Sequence, residues 1–279
     1  MISMDKKGAQ FTSYDVCCQL VCSKRSGPQY NWLFVPGGPG YDSCYFRSLI
    51  RLLDLSGNCW LIDFPNNGAN DCSHKDKRDL GYWYDLFLPT ISEFDNAIYV
   101  GHSFGSMFAL LYPQLEEKLK GLVLIGTAQK LWYEEAAKKA QALNLPDITG
   151  LLNAYGQNQT QATFDAVNFV LVDYYAMPKS KAAMKQLLRE TPCNIYGPLW
   201  WMNEVNKNSY ETKWIPQQLP TLILSGRQDA LTPYELIDKD SRFKRENILL
   251  HFIDEASHFV WIDQPQETIQ AFEAFKAVL

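Results

Sequence analysis

Short apolar runs bounded by turn residues recur along the chain. Tyr14 to Cys22 (YDVCCQLVC), Trp32 to Val35, Cys59 to Phe64 (CWLIDF), Ala97 to Val100, Gly121 to Ile125 (GLVLI), Pro220 to Ser225 (PTLILS) and Asn247 to Ile253 (NILLHFI) each read as a strand. Most are nearly continuous in apolar residues, as strands buried on both faces are. Helix-period patterns separate them, at Ser43 to Leu53, Asp79 to Phe94, Met107 to Leu111, after Tyr234, and at Gln264 to Leu279. The last places Ile269, Phe272, Phe275 and Leu279 on one face. This alternation predicts an α/β fold: a mostly parallel central sheet with helices on both faces.

The rhythm stops between Gln129 and Trp214, where the sequence is helix-like and rich in Ala, Lys, Gln and Tyr. That stretch is expected to be a helical insertion. Residues 1–128 and 215–279 then form the core, and 129–214 a lid over the carboxyl edge of the sheet. Of its tryptophans, Trp132, Trp200, Trp201 and Trp214, most are expected to hold the lid's own interior, with one or two aromatics facing a pocket.

Composition narrows the function. With 279 residues and 47% hydrophobic content the chain can bury a full core. A net charge of −5 without a basic patch argues against nucleic acid as a partner. No apolar run is long enough to span a bilayer, and the N-terminal MISMDKKGAQFTSYD lacks the apolar stretch of a secretory signal. The seven cysteines are odd in number and several lie in apolar runs, which fits reduced thiols in a cytoplasmic protein. Cys17, Cys18 and Cys22 lack a second Cys or His pair at ligand spacing, so no metal is expected.

The candidate chemistry centres on Asn96 to Leu111, NAIYVGHSFGSMFALL. A strand runs into Gly101-His102-Ser103-Phe104-Gly105 and out into a helix. The pattern G-x-S-x-G carries meaning in that strand–turn–helix setting. Gly101 and Gly105 leave room for the sharp turn, Ser103 stands at its tip, and the N–H of Phe104 points where an oxyanion would form. Upstream, Pro36-Gly37-Gly38-Pro39-Gly40 follows a strand, and Gly38 is the expected second oxyanion donor.

A serine needs a base, and the base a third group to hold its tautomer. There are four histidines. His74 lies in a charged loop before the serine, His102 should point away from Ser103, and His251 lies inside the last strand. His258, in the loop after that strand, is the expected base. Asp229 follows a buried strand, after the serine and before the histidine in the chain, and is the expected acid. Asp238, Asp240 and Asp254 are less well placed. This set would cleave an acyl bond of a small-molecule substrate through an acyl-enzyme, with no cofactor.

These motifs resemble those of the α/β-hydrolase superfamily over nearly the whole chain. The nearer resemblance is to its proline iminopeptidase-like branch. Gly37-Gly38-Pro39-Gly40 matches that branch's H-G-G-P-G after its first position, which here is Pro36. Gly101 to Ser106 matches G-x-S-x-G-S, and Gly226, Arg227 and Asp229 match G-R-x-D. The branch's D-x-R-G-x-G-x-S signature is replaced by Asp63-Phe64-Pro65-Asn66-Asn67-Gly68-Ala69-Asn70. The resemblance implies a lid covering the site. It also implies lid carboxylates that would hold a substrate amine, for which Glu204 is the candidate. A serine nucleophile sets the chain apart from the haloalkane dehalogenases, which use an aspartate. The expectation is a serine hydrolase acting on a small apolar ester, amide or lactone. The alternatives are an iminopeptidase-type aminopeptidase, a carbon–carbon bond hydrolase, and a ligand-binding or signalling protein that keeps the fold.

Overall fold

The computed structural model describes residues 3–5, 8–13, 15–70, 80–195 and 197–279. Nine strands make one sheet: β1 (Ser3–Asp5), β2 (Gly8–Ser13), β3 (Val16–Lys24), β4 (Tyr30–Val35), β5 (Gly57–Asp63), β6 (Ala97–His102), β7 (Gly121–Ile125), β8 (Thr221–Gly226) and β9 (Ile248–Ile253). Their order is β1-β2-β3-β5-β4-β6-β7-β8-β9. β1, β2 and β3 pair antiparallel, as do β3 and β5. From β5 through β9 every pairing is parallel. The sequence pattern shows no strand before Tyr14. The β1–β2 hairpin escapes it because GAQFTS carries one large apolar residue, Phe11, and no alternation.

The parallel strands face a core on each side. Leu33 and Val35 of β4, Tyr99 of β6 and Leu122 and Leu124 of β7 pack into one cluster. Their neighbours Trp32, Phe34, Ile98, Val100, Val123 and Ile125 pack into the other. This two-sided burial is why these strands read as unbroken apolar runs.

Two short helices, α1 (Phe46–Ile50) and α2 (Leu80–Ser92), flank β5 in the chain. His74 and Asp79 lie outside the described residues. The Ser43 to Leu53 pattern is realised only as a tight turn, Ser43–Tyr45, and the five residues of α1. After β6 come α3 (Phe104–Ala109) and α4 (Leu115–Lys118). Between β7 and β8 the chain leaves the sheet for α5 (Tyr133–Ala142), α6 (Thr149–Gln157), α7 (Gln161–Tyr175), α8 (Lys181–Glu190) and α9 (Gly197–Asn208). The helix expected after Tyr234 is a single turn, α10 (Glu235–Asp238), and α11 (Val260–Asp263) and α12 (Pro265–Lys276) close the chain. No helix of the described residues is long and apolar enough to cross a membrane.

β4 and β6 are neighbours, but the chain leaves β4 toward β5 on one side and β6 toward β7 on the other. Such a switch point opens a crevice at the carboxyl ends of the two strands. The 36–40 turn follows β4 there, and Ser103 follows β6.

The carboxyl end of β5 carries an unusual acid. Asp63 is buried and takes the Ser43 N–H on Oδ1 and the Ser43 hydroxyl on Oδ2, both at 2.7 Å. Burial first, and nearby Asp42 second, push its carboxyl up to about 8. The folded protein therefore holds a proton that the unfolded chain gives up near pH 4. Stability is fully present below that pH and is lost as pH rises toward 8. Asp63→Asn carries no charge, keeps its oxygen on the Ser43 N–H, and lets its NH2 donate to the Ser43 hydroxyl, which turns to accept. It should flatten the decline: between pH 5 and 8 the wild-type melting temperature falls by several degrees more than that of the variant. Parallel melting curves would contradict this.

Candidate active site

Ser103 sits between β6 and α3 with φ 53° and ψ −119°, a conformation L-residues avoid. The turn is tight enough to dictate its glycines. A Cβ on Gly101 would lie 2.7 Å from Ser106 N, and one on Gly105 2.5 Å from the Val35 carbonyl oxygen. Ser106 ties the elbow to β7 by accepting from Ile125 N–H (3.0 Å) and donating to Ile125 O (3.1 Å). Ser103 remains half-buried where its neighbours on both sides are buried. Backbone strain of this kind is often stored at functional sites.

Asp229 follows β8 and is fully buried. Its Oδ1 accepts from the N–H groups of Leu231 (2.8 Å) and Thr232 (3.0 Å). Its Oδ2 accepts from the Thr232 hydroxyl and faces His258 Nδ1, both at 2.8 Å. A carboxylate accepts only, so Nδ1 carries the proton and Nε2 is the basic nitrogen. Gly226 makes this approach possible: a Cβ there would lie 2.2 Å from the Ala256 carbonyl oxygen. The 257–259 loop is pinned to the end of α7, because the Ser257 hydroxyl donates to Tyr174 O (2.6 Å) and Phe259 N–H to Tyr175 O (3.0 Å). The Tyr175 ring stacks on the His258 ring, 6.1 Å between centroids.

A cavity of about 760 Å³ joins these groups; Gly37, Gly38, Ser103 and His258 all line it. Gly37 N–H is taken by the Tyr45 hydroxyl (2.7 Å) and Pro39 has no N–H, while Gly38, at φ 114°, lines the cavity. Phe104 N–H is the first of α3 and points out of the helix end. The far wall comes from Leu145 and Ile148 between α5 and α6, Leu152 of α6, and Phe164, Val167 and Leu171 of α7. More aromatics of this stretch face the cavity than the pattern implied, among them Trp132, Tyr175 and Trp201. Trp214 does not; its indole N–H donates to Ala109 O (3.1 Å).

The structure does not bring Glu204 to the cavity lining. It lies on α9 with Lys207 Nζ at 3.4 Å. The carboxylate that does line the cavity is Asp147, which no motif singles out; it is exposed and accepts the Thr149 N–H (2.9 Å) at the start of α6. Among the described residues no lysine or arginine lines the cavity. His251 lies on β9 near Glu267 (3.6 Å) and does not line the cavity. Asp254 is exposed and pairs with Arg227 (3.1 Å). Thr232, which holds Asp229, and Tyr175 were missed by sequence reasoning. A hydroxyl residue three positions after the acid was the available signal for Thr232.

A family model described as the alpha/beta hydrolase fold matches residues 33–265, and the chain belongs to this family of hydrolases. It is 23% identical to a proline iminopeptidase of Lactiplantibacillus plantarum over 94% of this chain and 93% of the relative. It is 24% identical to a putative esterase/lipase of Mycoplasma pneumoniae over 82% of each. Among solved structures, a proline iminopeptidase-related protein from Thermus thermophilus superposes with a TM-score of 0.69 at 20% identity, covering 95% of this chain and 94% of that one. An epoxide hydrolase from Bacillus megaterium superposes at 0.66 and 14% identity, covering 96% and 99%.

Proposed function

We propose that the protein is a serine hydrolase that cleaves esters of neutral, apolar acyl groups through an acyl-enzyme on Ser103. The observation that carries this is a strained serine sharing one cavity wall with a histidine whose other nitrogen is held by a buried carboxylate. In this reading Ser103 Oγ attacks the acyl carbonyl while His258 Nε2 takes its proton, and Asp229 stabilises the imidazolium. The N–H groups of Phe104 and Gly38 bind the oxyanion. Collapse expels the alcohol, which takes the proton from His258. Water, deprotonated by the same nitrogen, then releases the acid. No cofactor is needed, and the five helices between β7 and β8 act as the lid.

The relatives' names favour a second reading, an aminopeptidase. Such an enzyme must hold a substrate ammonium, and the described lining offers only Asp147, already engaged at the start of α6. The absence of lysine and arginine there disfavours anionic substrates equally. A neutral acyl chain fits the far wall.

A p-nitrophenyl ester series tests this. Each added methylene buried against that wall is worth about 0.8 kcal/mol, so kcat/KM should rise roughly fourfold per carbon from acetate until the cavity is filled. Prolyl p-nitroanilide should be turned over at least about a hundredfold less efficiently than the best ester. A flat series, or prolyl anilide as the best substrate, would move the function to the second reading.

A further inference from the structure

We propose that Tyr45 and His102 are positioning residues. They hold the oxyanion turn, the serine elbow and the histidine loop in one register through a single, directionally ordered chain of hydrogen bonds. The proposal rests on the reading of Ser103, Gly38 and His258 given above, and adds two residues that no motif assigns.

Tyr45 closes the tight turn after the glycine loop, and its hydroxyl is buried between two partners. Gly37 N–H donates to it at 2.7 Å, and His102 Nδ1 lies 3.0 Å away. His102 is the last residue of β6 and is 2% exposed. Its Nε2 lies 3.2 Å from the carbonyl oxygen of His258. A carbonyl can only accept, so Nε2 carries a proton. Burial, and the nearby His258, hold the His102 imidazole well below its usual range, so it is neutral and Nδ1 is bare. The one proton of the Tyr45 hydroxyl must then go to Nδ1, and its oxygen receives Gly37 N–H. The chain has one direction only: Gly37 N–H to Tyr45, Tyr45 O–H to His102, His102 N–H to the His258 carbonyl.

Each link ends at, or one residue from, a group that does chemistry. Gly37 precedes Gly38, His102 precedes Ser103, and the final carbonyl belongs to His258 itself. The links also join the turn after β4 and the last residue of β6 to the loop after β9 through side chains. Phe259 and Trp261 pack edge-on against the His102 ring, at 4.6 and 5.1 Å between centroids, and keep water from competing. Cutting the chain frees the glycine turn and the histidine loop to drift separately. A displacement near 1 Å of such groups costs about a hundredfold in rate.

The test compares Tyr45→Phe, His102→Leu, the double variant and His102→Gln, by ester kinetics and by the rate at which a fluorophosphonate labels Ser103. Each single cut should lower kcat and the labelling rate by about 10- to 100-fold, with KM within about threefold. Both cuts break the same chain, so the double variant should fall no more than about threefold below the poorer single one. Glutamine offers one acceptor and one donor at similar reach, and should recover at least about tenfold over leucine. In the wild type, nitrogen-15 NMR should show His102 as the Nε2–H tautomer, independent of activity. Losses that multiply in the double variant, an unchanged kcat in Tyr45→Phe with only a lower melting temperature, or an Nδ1–H tautomer would overturn the proposal. A wild type that the probe does not label at all would instead remove Ser103 as the nucleophile, a failure of the underlying reading that the NMR result keeps separate.

Discussion

Replacing Ser103 by alanine should lower kcat for ester hydrolysis by about four to six orders of magnitude, the range seen when a triad nucleophile is removed. The cavity and the Asp229–His258 pair stay intact, so ligand binding should survive. The strained backbone adds a second readout. Glycine tolerates a φ of 53° where alanine does not. Ser103→Gly should therefore be as inactive as Ser103→Ala yet more stable, by about 1 kcal/mol or a few degrees in melting temperature. An inactive variant that gains stability is what a residue strained for function produces. Equal stability of the two variants would mean that the elbow stores no such strain. Full activity in Ser103→Ala would sink the assignment.

Asp229→Asn should cost about 10⁴ in kcat. The cause is directional. Thr232 and His258 Nδ1 both donate to Oδ2 in the native site, and the N–H groups of Leu231 and Thr232 occupy Oδ1. An asparagine keeps its oxygen on the two backbone donors and so turns its amide toward His258. Nδ1 must then accept, and the proton moves to Nε2, where the serine needs a base. Asp254→Asn should change kcat by less than about twofold, because that carboxylate is exposed and its pairing with Arg227 is of the surface kind. The reverse order would move the acid to the last loop. The measurement is steady-state kinetics of both variants on one p-nitrophenyl ester.

Which parts were legible in the sequence follows from how local each cause is. The parallel strands were legible because burial on both faces leaves a local mark, an unbroken apolar run. The elbow was legible because its glycines are demanded by clashes within five residues, as at Gly101 against Ser106. Asp229 and His258 could be placed from chain order and from the strands that precede them. The β1–β2 hairpin was not legible, since edge pairing is carried by the main chain. Helix lengths were overestimated at Ser43 to Leu53, where α1 ends at Ile50, and after Tyr234, where α10 is a single turn. The contribution of the helices between β7 and β8 to the cavity was legible only as composition. Which aromatic faces inward depends on how α5 to α9 cross one another, and no local pattern encodes that. Glu204 shows the limit of a resemblance: the carboxylate lies on α9 beside Lys207 rather than at the cavity. His102 was expected to point away from Ser103. Its ring lies between Tyr45 and the His258 carbonyl, partners distant in sequence on either side of the elbow.

The central claim is that Ser103 is a nucleophile activated by His258. Fluorophosphonate labelling, read by intact mass and peptide mapping on the wild type and on His258→Ala, tests it most directly. The account predicts a single adduct on Ser103 in the wild type, and labelling slowed by at least about a thousandfold in His258→Ala. A folded wild type that takes no adduct, or one labelled equally fast without His258, would contradict it.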